Sequence, residues 1–243
     1  MANIQNERVM GIASDKSFDS DFKRIAGLSW YPWVGAGYKE AKQRVLVIGD
    51  NLYAVDENGD YDEETARDFL SNRETVREYV EESRDPKKWH AKFYDRLTDT
   101  FVSEDRIDRF WNKVAFVHFF QQPDGRVSGN GHGKTERMAA WSRWQELVEV
   151  LRLDICIFCG TGLGRCYEEW NRSMGKEADW WDVESGIYKG GQQPIRGVFT
   201  TAGGHRAELV FMRHPSSRGF SSERWHEFLK GQFPDVMREV DEE

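Results

Sequence analysis

Arg44-Val45-Leu46-Val47-Ile48-Gly49 is a continuous run of aliphatic residues that ends in glycine. A run without polar alternation is typical of a strand that is buried on both faces of a parallel sheet. Three further apolar runs predict strands at 114–120, 153–160 and 207–212, and a short run at 198–200 predicts an edge strand.

Segments with helical spacing of apolar residues separate these runs, at 62–83, 86–100, 136–151, 163–173 and 220–230. Strands that alternate with helices predict βαβ units, a mostly parallel sheet and helices on both of its faces. We therefore predict a three-layer α/β/α fold with a central, mostly parallel four-stranded sheet. The length of 243 residues fits one hydrophobic core, so 1–243 is predicted as a single domain. Within it, 1–43 is an N-terminal packing segment and 62–112 is a helical insertion with no assigned role.

The net charge of −8 argues against a protein that coats nucleic acid through its bulk charge. Arginines are nevertheless concentrated near the C-terminus, at Arg213, Arg218 and Arg224. Three cysteines are too few, and odd in number, for a disulfide framework. No run resembles a signal peptide or a membrane span. We expect a cytoplasmic monomer with no membrane association, no metal and no cofactor.

Two polar segments follow the first and the last predicted strands. They are Gly49-Asp50-Asn51-Leu52-Tyr53 and His214-Pro215-Ser216-Ser217-Arg218-Gly219-Phe220. Open α/β sheets bind ligands just beyond the carboxyl ends of their strands, so both segments lie where a reactive site is expected. Taken alone, Asn51 is typical of a turn residue and His214 of a capping or surface histidine. Their joint placement favours a function.

The two segments resemble the motifs of the uracil-DNA glycosylase superfamily. Its members carry Gly-x-(Asp/Asn)-Pro-(Tyr/Gly) after the first strand and His-Pro-Ser after the last. Gly49 to Tyr53 fits the first motif except that Leu52 replaces proline, and His214 to Ser216 fits the second in full. The resemblance covers roughly residues 30–230, with weaker support from Trp33-Val34-Gly35. It implies a monofunctional DNA glycosylase, which flips a base out of DNA and hydrolyses its N-glycosidic bond to leave an abasic site.

The resemblance also implies a role for individual residues. Asn51 would hold the attacking water, and Asp50 could replace it if the register shifts by one. His214 would donate a hydrogen bond to the departing base. The base pocket would be formed by Gly49, Tyr53, His118 and Phe119.

His118 stands where members of the superfamily carry an asparagine that reads the pyrimidine edge. This departure puts strict uracil specificity in doubt. It widens the expected substrates to modified pyrimidines such as a hypermodified cytosine of phage DNA, which would make the enzyme antiviral rather than a repair enzyme. Tyr53 weighs against a bulky C5 group, because a tyrosine there blocks that substituent. A histidine in an apolar run is also typical of a core residue with satisfied hydrogen bonds.

The segment after the last strand would contact DNA. The residues expected to do so are Arg213, Ser216, Ser217, Arg218 and Phe220. Arg218 or Phe220 would fill the gap left by the flipped base. Phe220 fits equally well as a buried staple at the start of the last helix.

Two alternatives stay open. Gly129–Thr135 resembles a phosphate-binding P-loop, although Ser128 stands where that motif needs glycine. The chain could also be a catalytically inactive member of the same fold that binds DNA or a protein partner, since asparagine at position 51 is a weaker base than aspartate.

Overall fold

The computed structural model describes residues 11–51, 53–54, 60–82, 92–123, 132–183 and 193–241. Within these ranges the chain forms nine α-helices and seven β-strands. The helices are α1 (Asp19–Phe22), α2 (Glu63–Ser71), α3 (Thr75–Glu82), α4 (Lys92–Phe101), α5 (Ile107–Lys113), α6 (Lys134–Leu151), α7 (Gly162–Ser173), α8 (Ser222–Gln232) and α9 (Pro234–Asp241). The strands are β1 (Trp33–Val34), β2 (Val45–Gly49), β3 (Ala115–His118), β4 (Ile155–Cys159), β5 (Asp179–Asp182), β6 (Ile195–Thr200) and β7 (Arg206–Met212).

The strands form one mixed sheet in the order β1-β3-β2-β4-β7-β6-β5. Strands β3, β2, β4 and β7 are mutually parallel, whereas β1, β6 and β5 pair antiparallel at the two sides. The predicted α/β class is confirmed, but the prediction of four strands is wrong, because the sheet has seven. The four predicted central strands form its parallel middle. The prediction missed β1, which has only two residues, and β5, whose sequence Asp-Trp-Trp-Asp is not an apolar run. The run predicted as an edge strand at 198–200 lies in β6, which is not at the edge because it pairs with both β7 and β5.

The central strands are covered on both faces. Every residue of β2 and β4 is buried. Val47 is in register with Phe116 of β3, whereas the next residue, Ile48, is in register with Phe158 of β4. Because successive side chains of a strand point to opposite faces, Phe116 and Phe158 lie on opposite faces of the sheet.

Helices pack on each of these faces. The Phe116 ring contacts Phe93 of α4 and Trp111 of α5, with centroid distances of 6.1 and 5.9 Å. The Phe158 ring contacts Trp141 of α6 at 5.2 Å. We call these the α4 face and the α6 face. The sheet is therefore the middle of three layers, as the alternation of elements predicts.

The described residues of the helical insertion predicted at 62–112 are part of the layer on the α4 face, and residues 83–91 of that insertion lie outside the described residues. Its first stretch, predicted as one helix at 62–83, is divided into α2 and α3. The break lies at Asn72, whose side-chain oxygen accepts a hydrogen bond from the backbone N–H of Glu74. Asparagine favours such a local turn over helix continuation. Helix α9, which the sequence pattern did not predict, packs against α8 and α5.

Two kinds of feature are absent from the described part of the chain. None of its helices combines the length and the apolar character needed to cross a lipid bilayer. The described residues also contain no group of three or more histidine, cysteine, aspartate or glutamate side chains that could hold a metal ion. Cys156, Cys159 and Cys166 are free thiols.

The buried aromatic contacts predict a large loss of stability when Phe158 is truncated. Phe158 has no exposed surface and contacts Trp141 and Phe211, so we expect Phe158→Ala to lower the free energy of unfolding by about 3–5 kcal/mol. Urea denaturation followed by tryptophan fluorescence measures this change. Tyr61→Ala is the control, because the Tyr61 side chain is 55% exposed and its loss should change stability by less than about 0.5 kcal/mol. Equal losses in the two variants would contradict the assignment of Phe158 to the core.

Candidate active site at the carboxyl edge of the sheet

The parallel strands β2, β3 and β7 end at the same edge of the sheet. Gly49, the last residue of β2, is in register with His118, the last residue of β3. Pairing continues one step beyond, because the Phe119 N–H donates to the Gly49 carbonyl at 2.8 Å and the Phe120 N–H donates to the Asp50 carbonyl at 3.2 Å. The segments predicted to carry the chemistry therefore begin at a common edge.

Gly49 leaves room for the imidazole of His118. A β-carbon added to Gly49 would lie 2.8 Å from Nδ1 of His118, closer than a real side chain tolerates. The His118 ring also contacts Trp30 at 5.4 Å and Phe116 at 5.1 Å between centroids. His118 thus lies on the α4 face of the sheet, in an aromatic environment.

The imidazole of His118 has no hydrogen-bond partner among the described residues. Both ring nitrogens are buried and unpaired. Burial, together with the nearby His214, lowers the pKa of His118 to about 3. The ring is neutral at pH 7, with one donor and one acceptor unused. A satisfied core histidine would have partners, whereas unpaired buried nitrogens are costly in the free protein and call for an explanation.

His214 is partly buried and lies near His118. Its ring lies 5.2 Å from the Phe93 ring of α4 between centroids. Burial lowers the pKa of His214 to about 4, so the ring is neutral at pH 7. Its Nδ1 accepts a hydrogen bond from the backbone N–H of Ser216 at 3.2 Å. A neutral imidazole carries one proton, so the proton of His214 is on Nε2, which is a donor.

The segment from His214 to Phe220 is a compact pair of turns. The Ser217 N–H donates to the His214 carbonyl at 2.9 Å, and the Phe220 N–H donates to the Ser217 carbonyl at 3.1 Å. The guanidinium of Arg213 donates to the carbonyl of Arg218 at 2.6 Å and closes the segment. Ser216 and Arg218 are exposed at its surface. Arg213 therefore supports the backbone of this segment.

Helix α4 supplies a contact that the sequence pattern did not predict. The Nη1 group of Arg96 donates to the carbonyls of Pro215 and Ser217, at 3.0 and 3.4 Å. Phe93, which contacts His214, lies one helical turn earlier. The spacing of three places both side chains on one helix face. No feature of the sequence indicates that this face meets the segment after β7.

Two predicted site residues lie on the α6 face instead. The Phe119 ring contacts Trp141 of α6 at 4.8 Å. Asp50 lies near His132 and Cys159, and its burial raises the pKa of its carboxyl group. Successive side chains along a strand point to opposite faces. Phe119 follows His118 and Asp50 follows Gly49, so both lie on the face opposite to the α4 face. The structure thus separates Asp50 and Phe119 from His118 and His214.

Asn51 and Tyr53 follow β2 directly. Asn51 is partly buried, two residues beyond Gly49. The side chain of Tyr53 is 40% exposed. Both residues therefore follow the carboxyl end of β2, the edge of the sheet at which Gly49 is in register with His118.

Phe220 is the hydrophobic staple of α8. It immediately precedes Ser221, the N-cap residue whose hydroxyl accepts from the Arg224 N–H. The Phe220 ring stacks on Trp225 in the first turns of the helix, at 6.5 Å between centroids. This is the N′ to N4 contact that fixes the entry of a chain into a helix. Of the two roles expected for Phe220, the staple is the one that the structure contains.

The alternative nucleotide-binding segment is only partly described. Gly129 to Gly131 lie outside the described residues. Lys134 is the first residue of α6, and its exposed side chain forms an ion pair with Glu169 at 3.6 Å. The described residues therefore include only the lysine end of this segment.

Comparisons with known proteins leave this site without an independent assignment. The scan against protein-family models matches no family, and the search of curated proteins finds no match. The interpretation of the site therefore depends on the residues and contacts described above.

The contact between Gly49 and His118 predicts a steric coupling. Gly49→Ala should lower the free energy of unfolding by about 1–3 kcal/mol, because the added methyl group overlaps the imidazole. In the double variant Gly49→Ala/His118→Ala the overlap is gone, so the two losses should be less than additive. Chemical denaturation of both single variants and the double variant gives the coupling energy. Gly162→Ala is the matched control, because a methyl group there meets nothing within 4 Å. Additive losses would contradict the contact.

The two low histidine pKa values predict a dependence of stability on pH. The pKa is about 3 for His118 and about 4 for His214, below the ordinary value of 6.5. In the pH range between these low pKa values and 6.5, the unfolded chain therefore binds more protons than the folded chain. Stability from this source is complete above pH 6.5 and is lost as the pH falls toward 4 and then 3. Denaturation at a series of pH values measures it, and His118→Gln and His214→Gln should each reduce the slope. An identical slope in all three proteins would contradict the prediction.

Proposed function

We propose that this protein is a monofunctional DNA glycosylase of the uracil-DNA glycosylase kind. It hydrolyses the N-glycosidic bond of a modified or damaged pyrimidine and leaves an abasic site. The substrate is either uracil, in repair, or a hypermodified cytosine of phage DNA, in antiviral defence. The enzyme would act on cytoplasmic DNA as a monomer and would need no metal or cofactor.

The observation that carries the proposal is the state of His214. Its Nδ1 accepts from the Ser216 N–H, so its Nε2 is a donor, and burial keeps the ring neutral at pH 7. A departing pyrimidine takes the bonding electron pair, and the resulting negative charge is delocalised onto its exocyclic carbonyl oxygen. A preoriented N–H group in a desolvated site stabilises such a charge. The arrangement suits His214 to this task without a prior protonation.

Asn51 is the proposed holder of water. Its amide can accept a hydrogen bond from a water molecule and donate one, although it is not a strong base. In the reaction the water oxygen bonds to the sugar carbon, and one proton of that water ends on the released base. Asp50 is a poorer candidate than the sequence pattern suggests, because it lies on the α6 face with His132.

His118 supports a ligand pocket at the same edge. His118 is the last residue of β3, and both of its buried ring nitrogens lack a hydrogen-bond partner among the described residues. A base that enters between Gly49 and His214 would be able to supply the missing hydrogen bond. The desolvation cost that the free protein bears would then be offset on binding. In this proposal His118 reads the base edge, and its neutral ring can donate or accept.

The remaining steps concern DNA. The target nucleotide must leave the helical stack before it reaches His214. Ser216 and Arg218 are exposed beside His214 and are proposed to contact the phosphate backbone or the gap in the stack. Phe220 is not the proposed wedge, because its ring is engaged with Trp225.

Base release from defined DNA is the test. The protein is incubated with DNA that carries uracil, mismatched thymine, hydroxymethylpyrimidines or glucosylated hydroxymethylcytosine. Free base is measured by mass spectrometry and abasic sites by alkaline cleavage. We expect release from one of these substrates. Loss of one oxyanion-type donor typically costs about 100- to 1,000-fold in rate, so His214→Ala should lose at least that much, and Asn51→Ala should also be inactive.

His205→Gln is the matched control. Its Nε2 lies 2.7 Å from the carbonyl of Leu153, before the start of β4 and thus at the amino edge of the sheet. It should retain the wild-type rate. Binding of these DNAs without release of any base would favour the alternative of a binding protein. Activity that survives in His214→Ala would rule out the proposed role of His214.

A further inference from the structure

Helix α4 contacts the segment after β7 along its length. Phe93 meets the His214 ring, and Arg96 donates to two carbonyls of the next turn, those of Pro215 and Ser217. The backbone carbonyl of Arg96 accepts from the hydroxyl of Ser222 at 2.9 Å. These contacts span the whole segment from β7 to the start of α8.

Helix α4 packs against the hydrophobic core through its buried side chains. Leu97 and Phe101 are buried, and Phe101 stacks on Phe110 of α5 at 4.6 Å. The Thr98 hydroxyl accepts from the indole N–H of Trp111 at 3.1 Å. Further along, His226 of α8 makes a hydrogen bond to the Thr100 carbonyl at 3.2 Å. Helix α4 is thus a rigid support, whereas the segment after β7 is a loop.

A rigid support matters for a group that must be placed accurately. Functional groups on loops need supporting contacts that hold them within about 0.5 Å of the productive geometry. A displacement of about 1 Å can cost about 100-fold in rate. The turns of the segment constrain its backbone locally, but they do not fix its distance from Gly49 and His118. The contacts from α4 do, because α4 also packs on the face of the sheet that carries His118.

We propose that Phe93 and Arg96 are positioning residues for His214. Arg96 fixes the backbone of the His-Pro-Ser turn through the carbonyls of Pro215 and Ser217, and Phe93 fixes the plane of the imidazole. The inference rests on the proposed function and goes beyond it by giving the helical insertion a task. Neither side chain needs to touch the substrate.

Several charged or titratable groups lie on the described elements near His214. They include His118 of β3, Arg96 of α4, Arg213 immediately before it and Arg218 within its own segment. The guanidinium groups of Arg96 and Arg213 donate to backbone carbonyls, and burial is the cause of the lowered pKa of His214. The protonation state of His214 therefore reports mainly how deeply its ring is buried against Phe93.

The first experiment follows His214 itself and needs no substrate. The ¹⁵N-labelled wild type is compared with Phe93→Leu, Arg96→Met and Arg96→Lys, with Arg172→Met as control. Arg172 is exposed on α7, where it pairs with Glu168. We expect the wild-type ring to carry its proton on Nε2 and to titrate at about pH 4. In Phe93→Leu and Arg96→Met the midpoint should rise toward 6.5 and the two neutral tautomers should mix. Arg172→Met should match the wild type.

The second experiment measures base release in single turnovers, together with DNA affinity. Arg96→Met should reduce the rate about 10- to 100-fold, and Arg96→Lys should recover part of it, since lysine keeps a donor but not the fork. Phe93→Leu should reduce the rate and leave the Kd for DNA unchanged. Thermal unfolding shows whether each variant is folded at the assay temperature.

The outcomes separate this inference from the proposed function. Unchanged His214 signals in both Phe93→Leu and Arg96→Met would overturn the inference, whatever the activity. Changed signals in a wild-type protein that releases no base would sustain the inference and reject the glycosylase. Rates that fall only in proportion to lost stability would reduce both residues to a structural role and overturn it as well.

Discussion

Parallel pairing of β2 with β3 on one side and β4 on the other is the constraint on which the site depends. Because β2 is buried at every residue, it cannot shift without moving both neighbours. A slip of one residue would send each side chain to the opposite face. The register that aligns Gly49 with His118 thereby also decides which groups can meet His214.

The same alternation divides the residues after β2 and β3 between two environments. The face that holds His118 is lined by rings of Trp30, Phe116 and Phe93. The other face holds Asp50, whose carboxyl group is shifted by burial toward the neutral form. Neighbours in sequence thus differ in both their partners and their protonation, which is why a motif of five residues does not act as one unit.

This edge of the sheet buries polar groups that lack hydrogen-bond partners among the described residues, which is unfavourable for the free energy of folding. Neither ring nitrogen of His118 has a partner among the described residues, and its ring and that of His214 stay neutral because charge is unfavourable in an apolar setting. Two adjacent imidazolium ions would repel each other, whereas two neutral rings can lie together. The surrounding aromatic core supplies the stability that tolerates such a site, and unsatisfied groups of this kind are expected where a ligand completes the structure.

The sequence by itself determined the four parallel strands and the two segments that follow the first and last of them. It could do so because burial in a parallel sheet requires a continuous apolar run, which is a local pattern. Only the tertiary structure decided the antiparallel strands β1 and β5, the position of β6 between β7 and β5, the faces occupied by Asp50 and Phe119, and the placement of Phe93 and Arg96. Arg96 and Pro215 are 119 positions apart. No local sequence pattern encodes a contact between residues so distant. The contact forms only when α4 packs on the sheet beside the segment that follows β7.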